Sequence, residues 1–432
     1  MRELWATIVG RRAVGQETPN FRTVLDLGTE QAKALVVESR GRDSLVIGAG
    51  TARHEVPLSP DGGKSVDFRA LLPGCDRALR QAEDMTKGKH EGQVVPDWVV
   101  VCVPNCLTVG RTHTITSQRS NPRGRVSESE LRDVLKRAQR LALRELSAEV
   151  KSSRLGHGGK LDLLETSVSG TWIDGRSVTS PVGLQGEKLT AAVFNVVMPG
   201  SCLRVVKMVT DRLGLEILKV VSGWRGLALA GGQKDAVCLD VGGVGTDAVI
   251  IRAGKAWSTA SLAVGGCGFT AHIAEVLDIS SADAERSKVA YGLGRLDGPL
   301  YDAVRTAVRQ ALEDWAASLE RALHGMCGSG SLPQQFVICG GSSVLPDLPH
   351  VLRSHPWRRL ANGSLHPEVT VMRPREIPGV LDRTGVLAGQ QYVAPMAVAG
   401  CSSGAGEAVS SWDKLLRGVK RPKTFVDGGG RS

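Results

Sequence analysis

Aromatic side chains are scarce in this chain. Phe, Trp and Tyr make up 4% of its 432 residues against 42% hydrophobic overall, so its interior must be built mainly from aliphatic side chains on strands and helices. Long apolar runs are missing as well. No stretch of about 18 uncharged apolar residues occurs, which excludes a helix spanning a bilayer, and the start carries no secretory pattern, its short apolar stretch being interrupted early by Glu3. Cysteines in metal-type pairs are also absent. Nine are scattered, an odd number, and even Cys102 and Cys106 lack a second pair at zinc spacing, so they read as small buried residues in a reduced cytoplasm. The formal charge of +10 favours an acidic partner, nucleic acid or anionic lipid, but no recognisable nucleic-acid reader motif accompanies it.

What is there is a repeated device. VLDLGTEQAKALVVE at 24–38 and CLDVGGVGTDAVII at 238–251 each run from an apolar strand into an Asp, then glycines and a Thr, then a second apolar strand. Glycine lets a backbone turn sharply and bring its N–H groups to phosphate oxygens. Asp26 and Asp240 would be repelled by phosphate directly, so they are expected to act through Mg²⁺ and its water shell. Either turn alone reads equally as an ordinary hairpin. The pair predicts a nucleotide held between two related domains.

A chain of this length exceeds one core. Residues 1–20 form a basic leader, 68–85 a helix, 98–103 and 107–117 strands, and 127–146 an amphipathic helix with the stripe Leu131, Val134, Leu135, Ala138, Leu141 and Ala142. Ser127 caps that helix and Glu130 would complete a capping box. Strands over 161–172 and 189–198 flank the turn-rich 173–188, marking an inserted β/α unit at 97–188. Helices are expected at 201–213, 269–277, 281–291 and 300–326, the last with Val304, Val308, Ala311, Leu312, Trp315, Leu319 and Leu323 at helical spacing. A strand at 335–339 runs into Gly340-Gly341-Ser342-Ser343, a strand at 369–372 follows, and a final helix lies near 385–392. Small polar residues at 394–411 read as a flexible linker before a tail at 412–432.

The order of these motifs resembles the actin-like ATPases, and within them the bacterial division protein FtsA. Besides the two turns, the likeness rests on AERSKVAYG at 284–292 and ICGGSSVLPDLPHVL at 338–352, on SPVGLQGEKLTAAVFNVV at 180–197 beside the family's NPxGMSGxRLEAxVHIV, and on GGCGFTAHIA at 265–274 beside its GGxxIT segment. It implies an α/β, two-lobed actin-like fold of the duplicated ribonuclease H-like kind with a small inserted β/α domain. Residues 21–96, 189–235 and 377–393 would form the first lobe, 97–188 the interaction insert, and 236–376 the second lobe with a short helical subdomain at 283–334.

For ATP, the resemblance places Asp26, Gly28 and Thr29 under the terminal phosphates, and Gly242, Gly243, Gly245, Thr246 and Asp247 as the second jaw. Asp26 and Asp240 would face the metal. Glu285 and Lys288, three apart on one helix face, would meet ribose and base, and Gly340, Gly341 and Ser342 would let backbone approach the adenosine; on spacing alone these read as a solvated ion pair and a plain turn.

Departures from the family bear on catalysis. Val244 and Gly245 stand where DxGGGTTD has Gly and Thr, Glu30 and Gln31 replace a small hydroxyl residue and a Lys, and Gly223-Trp224 aligns with a Glu-Pro pair near which relatives carry a water-orienting polar group. Phosphoryl transfer depends on positioning. Nucleotide binding is therefore expected with slow turnover at most.

The tail carries Trp412, Leu415, Leu416 and Val419 on one helical face with Lys414, Arg417 and Lys420 around them, the composition of an interfacial helix on anionic lipid, although Gly418 and Pro422 keep such a helix short. The resemblance implies a cytoplasmic, self-assembling protein held peripherally on the inner face of the cell membrane, as polymer or homodimer, with a tubulin-like division protein as partner. A shortened subdomain between 291 and 335 is similar instead to PilM, the actin-like protein of type IV pilus assembly, whose partner would be a pilus membrane protein. A sugar or small-acid kinase is a third reading, but no DxD-like carboxylate base pairs with a sugar-binding segment.

Overall fold

A computed structural model describes residues 20–41, 43–58, 68–88, 92–152, 160–223, 228, 235–327, 331–360 and 365–401. The chain opens with β1 (Phe21–Leu27), β2 (Gln31–Arg40), β3 (Asp43–Arg53), helix α1 (Phe68–Asp84) and β4 (Trp98–Val103). Next come β5 (Val109–Gln118), α2 (Glu128–Ser152), β6 (Leu161–Ile173), β7 (Arg176–Ser177), β8 (Lys188–Pro199), α3 (Gly200–Arg212) and β9 (Glu216–Ser222). The second half holds β10 (Ala236–Val241), β11 (Thr246–Arg252), β12 (Lys255–Leu262), α4 (Gly266–Leu277), α5 (Ser281–Gly292), α6 (Gly298–Cys327), β13 (Gln335–Cys339), α7 (Leu348–Ser354), β14 (Glu368–Val371), β15 (Val380–Asp382) and α8 (Val393–Cys401).

One topological phrase is used twice. In the first sheet β1, β2 and β3 form an antiparallel meander, with β4 parallel to β1 and β9 parallel to β4. In the second, β10, β11 and β12 repeat the meander, with β13 parallel to β10 and β14 parallel to β13. Their inner strands are near-continuous apolar runs because both faces are covered. Helix α1 lies so close on β3 that a Cβ at Gly48 or Gly50 would stand 2.0 Å from the carbonyl oxygens of Ala82 or Ala78. In the second lobe the predicted α6 stripe is buried from Val304 to Leu323, with Trp315 at its centre.

The insert is a sheet of β5, β8 and β6 with α2 on one face, where Leu131, Val134, Leu135 and Ala138 pack against Val168, Ala191 and Val193. Its expected borders shift. β4 belongs to the first sheet through β1, and β8 is the middle strand between β5 and β6, so the insert extends from the end of β4 to the end of β8. A seam joins it to the second lobe: β5 meets β12 at Arg111 opposite Ser258, Gly110 N donates to Thr259 Oγ1 at 2.9 Å, and Lys255 Nζ donates to the Val168 carbonyl at 2.7 Å. Arg111 also donates to the Thr259 carbonyl and pairs with Glu149 of α2 at 2.7 Å.

Local expectations held unevenly. Ser127 caps α2, its Oγ accepting from Glu130 N at 3.2 Å. The second half of the capping box does not form, because the Glu130 carboxylate is taken by the Arg119 guanidinium at 2.7 and 3.1 Å. The final helix is α8 at Val393–Cys401, preceded by a single tight turn at Gln390–Tyr392, so the linker expected from residue 394 starts as helix. Its Val393, Met396, Ala397 and Val398 are buried, and that packing overrides the poor helix propensity of Pro395 and Gly400. No helix among the described residues is long and apolar enough to cross a membrane.

Candidate functional site

The ends of β1 and β10 face a cleft of about 420 Å³. Asp26, Gly28, Thr29, Asp240, Gly242, Gly243, Gly245, Asp247, Glu285, Lys288, Gly340, Gly341 and Ser342 all line it, although they come from sequence segments far apart. Thr246 does not. It is fully buried, its hydroxyl donating to the Val264 carbonyl at 2.7 Å and accepting from the Trp315 indole N–H at 2.8 Å. Strand alternation turns Thr246 into the second lobe and leaves its neighbour Asp247 toward the cleft.

The floor is charged, and unevenly so. Lys33 donates to Asp26 Oδ2 at 2.8 Å, with both side chains nearly buried. Burial alone would lower the Lys33 amine, but Asp26, helped by Asp240, outweighs it and holds it above its usual range. Burial pushes Asp240 up to about 6 against the pull of Lys33. It pushes Asp247 up to about 7, although the Ser261 hydroxyl and the Asn105 side chain both favour its charged form. Among the described residues no group of three or more His, Cys, Asp or Glu is arranged to hold a metal directly. Two carboxylates short of a full ligand cage suit Mg²⁺ held through its own waters, which such an ion surrenders reluctantly. Asp26 and Asp240 would hold it, and it would supply charge neutralisation at phosphate oxygens.

The walls are set by close backbone approach. Gly340 has φ +90°, and a Cβ there would lie 2.2 Å from Asp240 Oδ1 and 2.6 Å from the Val241 carbonyl oxygen. Ser342 Oγ donates to the Gly242 carbonyl at 3.1 Å, tying this loop to the second turn. Lys288 donates to Gly266 O and Thr270 Oγ1 at 2.8 Å each and to Glu285 Oε2 at 2.7 Å. Those bonds use all three ammonium hydrogens. Lys288 therefore pins α4 to α5 at the wall of the cleft. Burial opposes ionisation of Glu285, but its bonds from Lys288 and Thr270 prevail and hold it below the usual range. Val289, Leu293, Val344 and Leu345 give this end of the cleft an apolar lining suited to a flat base.

Among the lining residues that the sequence did not single out are Lys33, Asn105 and Cys267. A lone Lys33 inside the apolar β2 was a usable signal, because a charge in a buried strand needs a partner. Asn105 and Cys267 gave none. Cys267, exposed where a buried thiol was expected, donates from Sγ to Glu30 across the cleft, and Glu30 leans on Gly243, whose absent Cβ would be 2.6 Å from Glu30 Cγ. Glu30 thus bridges the lobes.

Comparison with known proteins bears on family and fold. The family profile of cell division protein FtsA matches residues 237–395. The cell division protein FtsA of Streptococcus pneumoniae is 23% identical over 356 residues, covering 76% of this chain and 72% of that protein. That of Pseudomonas aeruginosa is 26% identical over 282 residues, covering 63% and 62%. A chain of the PilM–PilN type IV pilus biogenesis complex has the same fold, with a TM-score of 0.57 at 17% identity over 89% of this chain and 99% of that one. The duplicated sheets and the cleft between them form an actin-like fold. Among proteins of that fold the chain is similar to FtsA.

Proposed function

We propose that this chain is an ATP-binding scaffold of cell division that assembles with further copies of itself and tethers partners to the cytoplasmic membrane. The observation that carries this reading is the convergence of both aspartate-glycine turns, with the Gly340–Ser342 loop, on one cleft. Its floor offers carboxylates for a hydrated Mg²⁺, its backbone turns offer N–H groups to phosphates, and its far end is apolar enough for adenine. Turnover is slow in this reading, because Gly223 offers no side chain that could take the proton of the attacking water. The FtsA relatives, named as cell division proteins, support the division role; assembly with further copies and a tubulin-like partner docked on the insert belong to this proposal.

Anchoring is assigned to the tail, whose Trp412, Lys414, Leu415, Leu416, Arg417, Val419 and Lys420 lie outside the described residues. One such tail binds weakly, and many on one assembly bind strongly through effective concentration. The test is twofold. Fluorescent ATP should bind the full chain in a Mg²⁺-dependent way, and pelleting with anionic vesicles should disappear when the chain is cut after Ser410. Pelleting unaffected by the cut would sink the tethering claim, and absence of nucleotide binding would sink the cleft reading.

The fold likeness to the PilM–PilN complex favours a second reading, a scaffold of pilus assembly that takes its anchor from a membrane partner. Co-purification with a pilus membrane protein, rather than with a tubulin-like one, would select it.

A further inference from the structure

Asn105 lies in the tight turn Asn105–Leu107 just after β4 and is 3% exposed, yet it lines the cleft beside the second aspartate-glycine turn. Its carboxamide lies near the Asp247 carboxylate and favours the charged form of that group. A carboxylate can only accept, so the amide nitrogen is the end that suits it. That leaves Asn105 Oδ1 as the free end, and among the described residues this buried oxygen has no hydrogen-bond partner. Buried acceptors are rarely left so, and one that is asks for a ligand. Residue 223 sets the position of this group: a Cβ there would stand 3.0 Å from Asn105 Nδ2 and 3.3 Å from Oδ1. The carboxamide therefore occupies the space into which a side chain at 223 would project. The polar group missing from β9 is supplied from the end of β4.

We infer that Asn105 orients the water that attacks the terminal phosphate of bound ATP, its Oδ1 accepting a hydrogen bond from that water while Asp247 fixes its Nδ2. The inference rests on the nucleotide reading of the cleft. In the reaction the water oxygen forms a bond to the γ-phosphorus as the bond from that phosphorus to the bridging oxygen breaks, leaving ADP. The proton lost by the water departs with the released phosphate. An amide oxygen is too weak a base to take that proton, so Asn105 directs the water without activating it. Slow turnover follows from this chemistry.

The experiment uses the full chain and reads two quantities, affinity for a fluorescent ATP analogue and single-turnover release of labelled phosphate from ATP. Asn105→Ala should lower phosphate release by roughly 10- to 100-fold with affinity little changed. The near-isosteric Asn105→Leu should behave the same way, which keeps the test sound if the cavity left by alanine harms folding. Gly223→Gln in the Asn105→Ala background should recover part of the rate by returning an amide to the same space. Phosphate release unchanged in both Asn105 variants would overturn the inference, as would a wild type that binds ATP and releases no phosphate. Failure of the wild type to bind ATP would instead overturn the nucleotide reading and this inference with it.

Discussion

The two aspartate-glycine turns share one backbone design and differ in how their charge is met. In the first, Asp26 has a buried ammonium, Lys33, at 2.8 Å. In the second, Asp240 and Asp247 face one another across β10 and β11 with only neutral donors and a distant share of Lys33, and burial pushes them up to about 6 and about 7. The first turn is electrostatically complete when the cleft is empty. The second has no such ammonium beside it, and in the proposed function a bound cation would complete it. A duplicated fold has thus placed its buried ion pair in one copy and its uncompensated carboxylates in the other.

The contrast can be broken most severely at Gly340, which presses on the second turn. Gly340→Ala puts a Cβ against the Asp240 carboxylate and Val241 backbone at φ +90°, and is expected to prevent folding or lower Tm by about 10 °C. Gly41→Ala, at φ +62° with nothing near its Cβ, is the control and should cost about 1 kcal/mol. Equal losses in thermal melts would refute the argument from close approach. Next in size is Lys33→Met, which strands Asp26 and should cost about 3–5 kcal/mol in denaturant titrations. A near-neutral result would mean that Asp26 is less dependent on its partner than the 2.8 Å bond implies.

Asp240→Asn should act with the opposite sign. The folded-state value of Asp240, about 6, lies above its ordinary 3.8, so its favourable contribution is present below 3.8 and is lost as pH rises through 6. The amide escapes that loss. The variant should match the wild type near pH 3.5 and exceed it by about 1–2 kcal/mol at pH 8, and Mg²⁺ should no longer stabilise it. Stability curves that stay parallel across this range would show that the second turn is not under charge stress. The smallest effect on the cleft is expected from Trp315→Phe, which removes the indole bond to Thr246 and leaves a cavity at a fully buried site; it should cost about 2–3 kcal/mol in denaturant titrations while leaving nucleotide affinity unchanged. A change in affinity would return Thr246 to the cleft.

Most of the architecture was legible because hydrophobic periodicity is strong where sheets are covered on both faces. The turns at Asp26 and Asp240 and helix α6 could be read directly. Sheet membership was harder. Both β4 and β8 are apolar strands with similar local pattern, and only long-range pairing assigns one to the first lobe and the other to the insert. Among site residues, the glycines announced themselves through sharp turns. Thr246 misled because the motif fixes its position but not which face of β11 it takes. Asn105 was invisible, since its role depends on the space left by Gly223, more than a hundred residues away.

The seam between β5 and β12 gives the insert a thermodynamic part in whatever happens in the cleft. The insert is continuous with the first lobe by chain and joined to the second by Arg111, Gly110 and Lys255, so a change in lobe spacing cannot leave its outer surface untouched. Coupling of this kind is reciprocal. A partner that grips the insert more tightly when nucleotide is present must tighten nucleotide binding by the same factor, so the affinity of the cleft would report which partner is attached to the far side of the molecule.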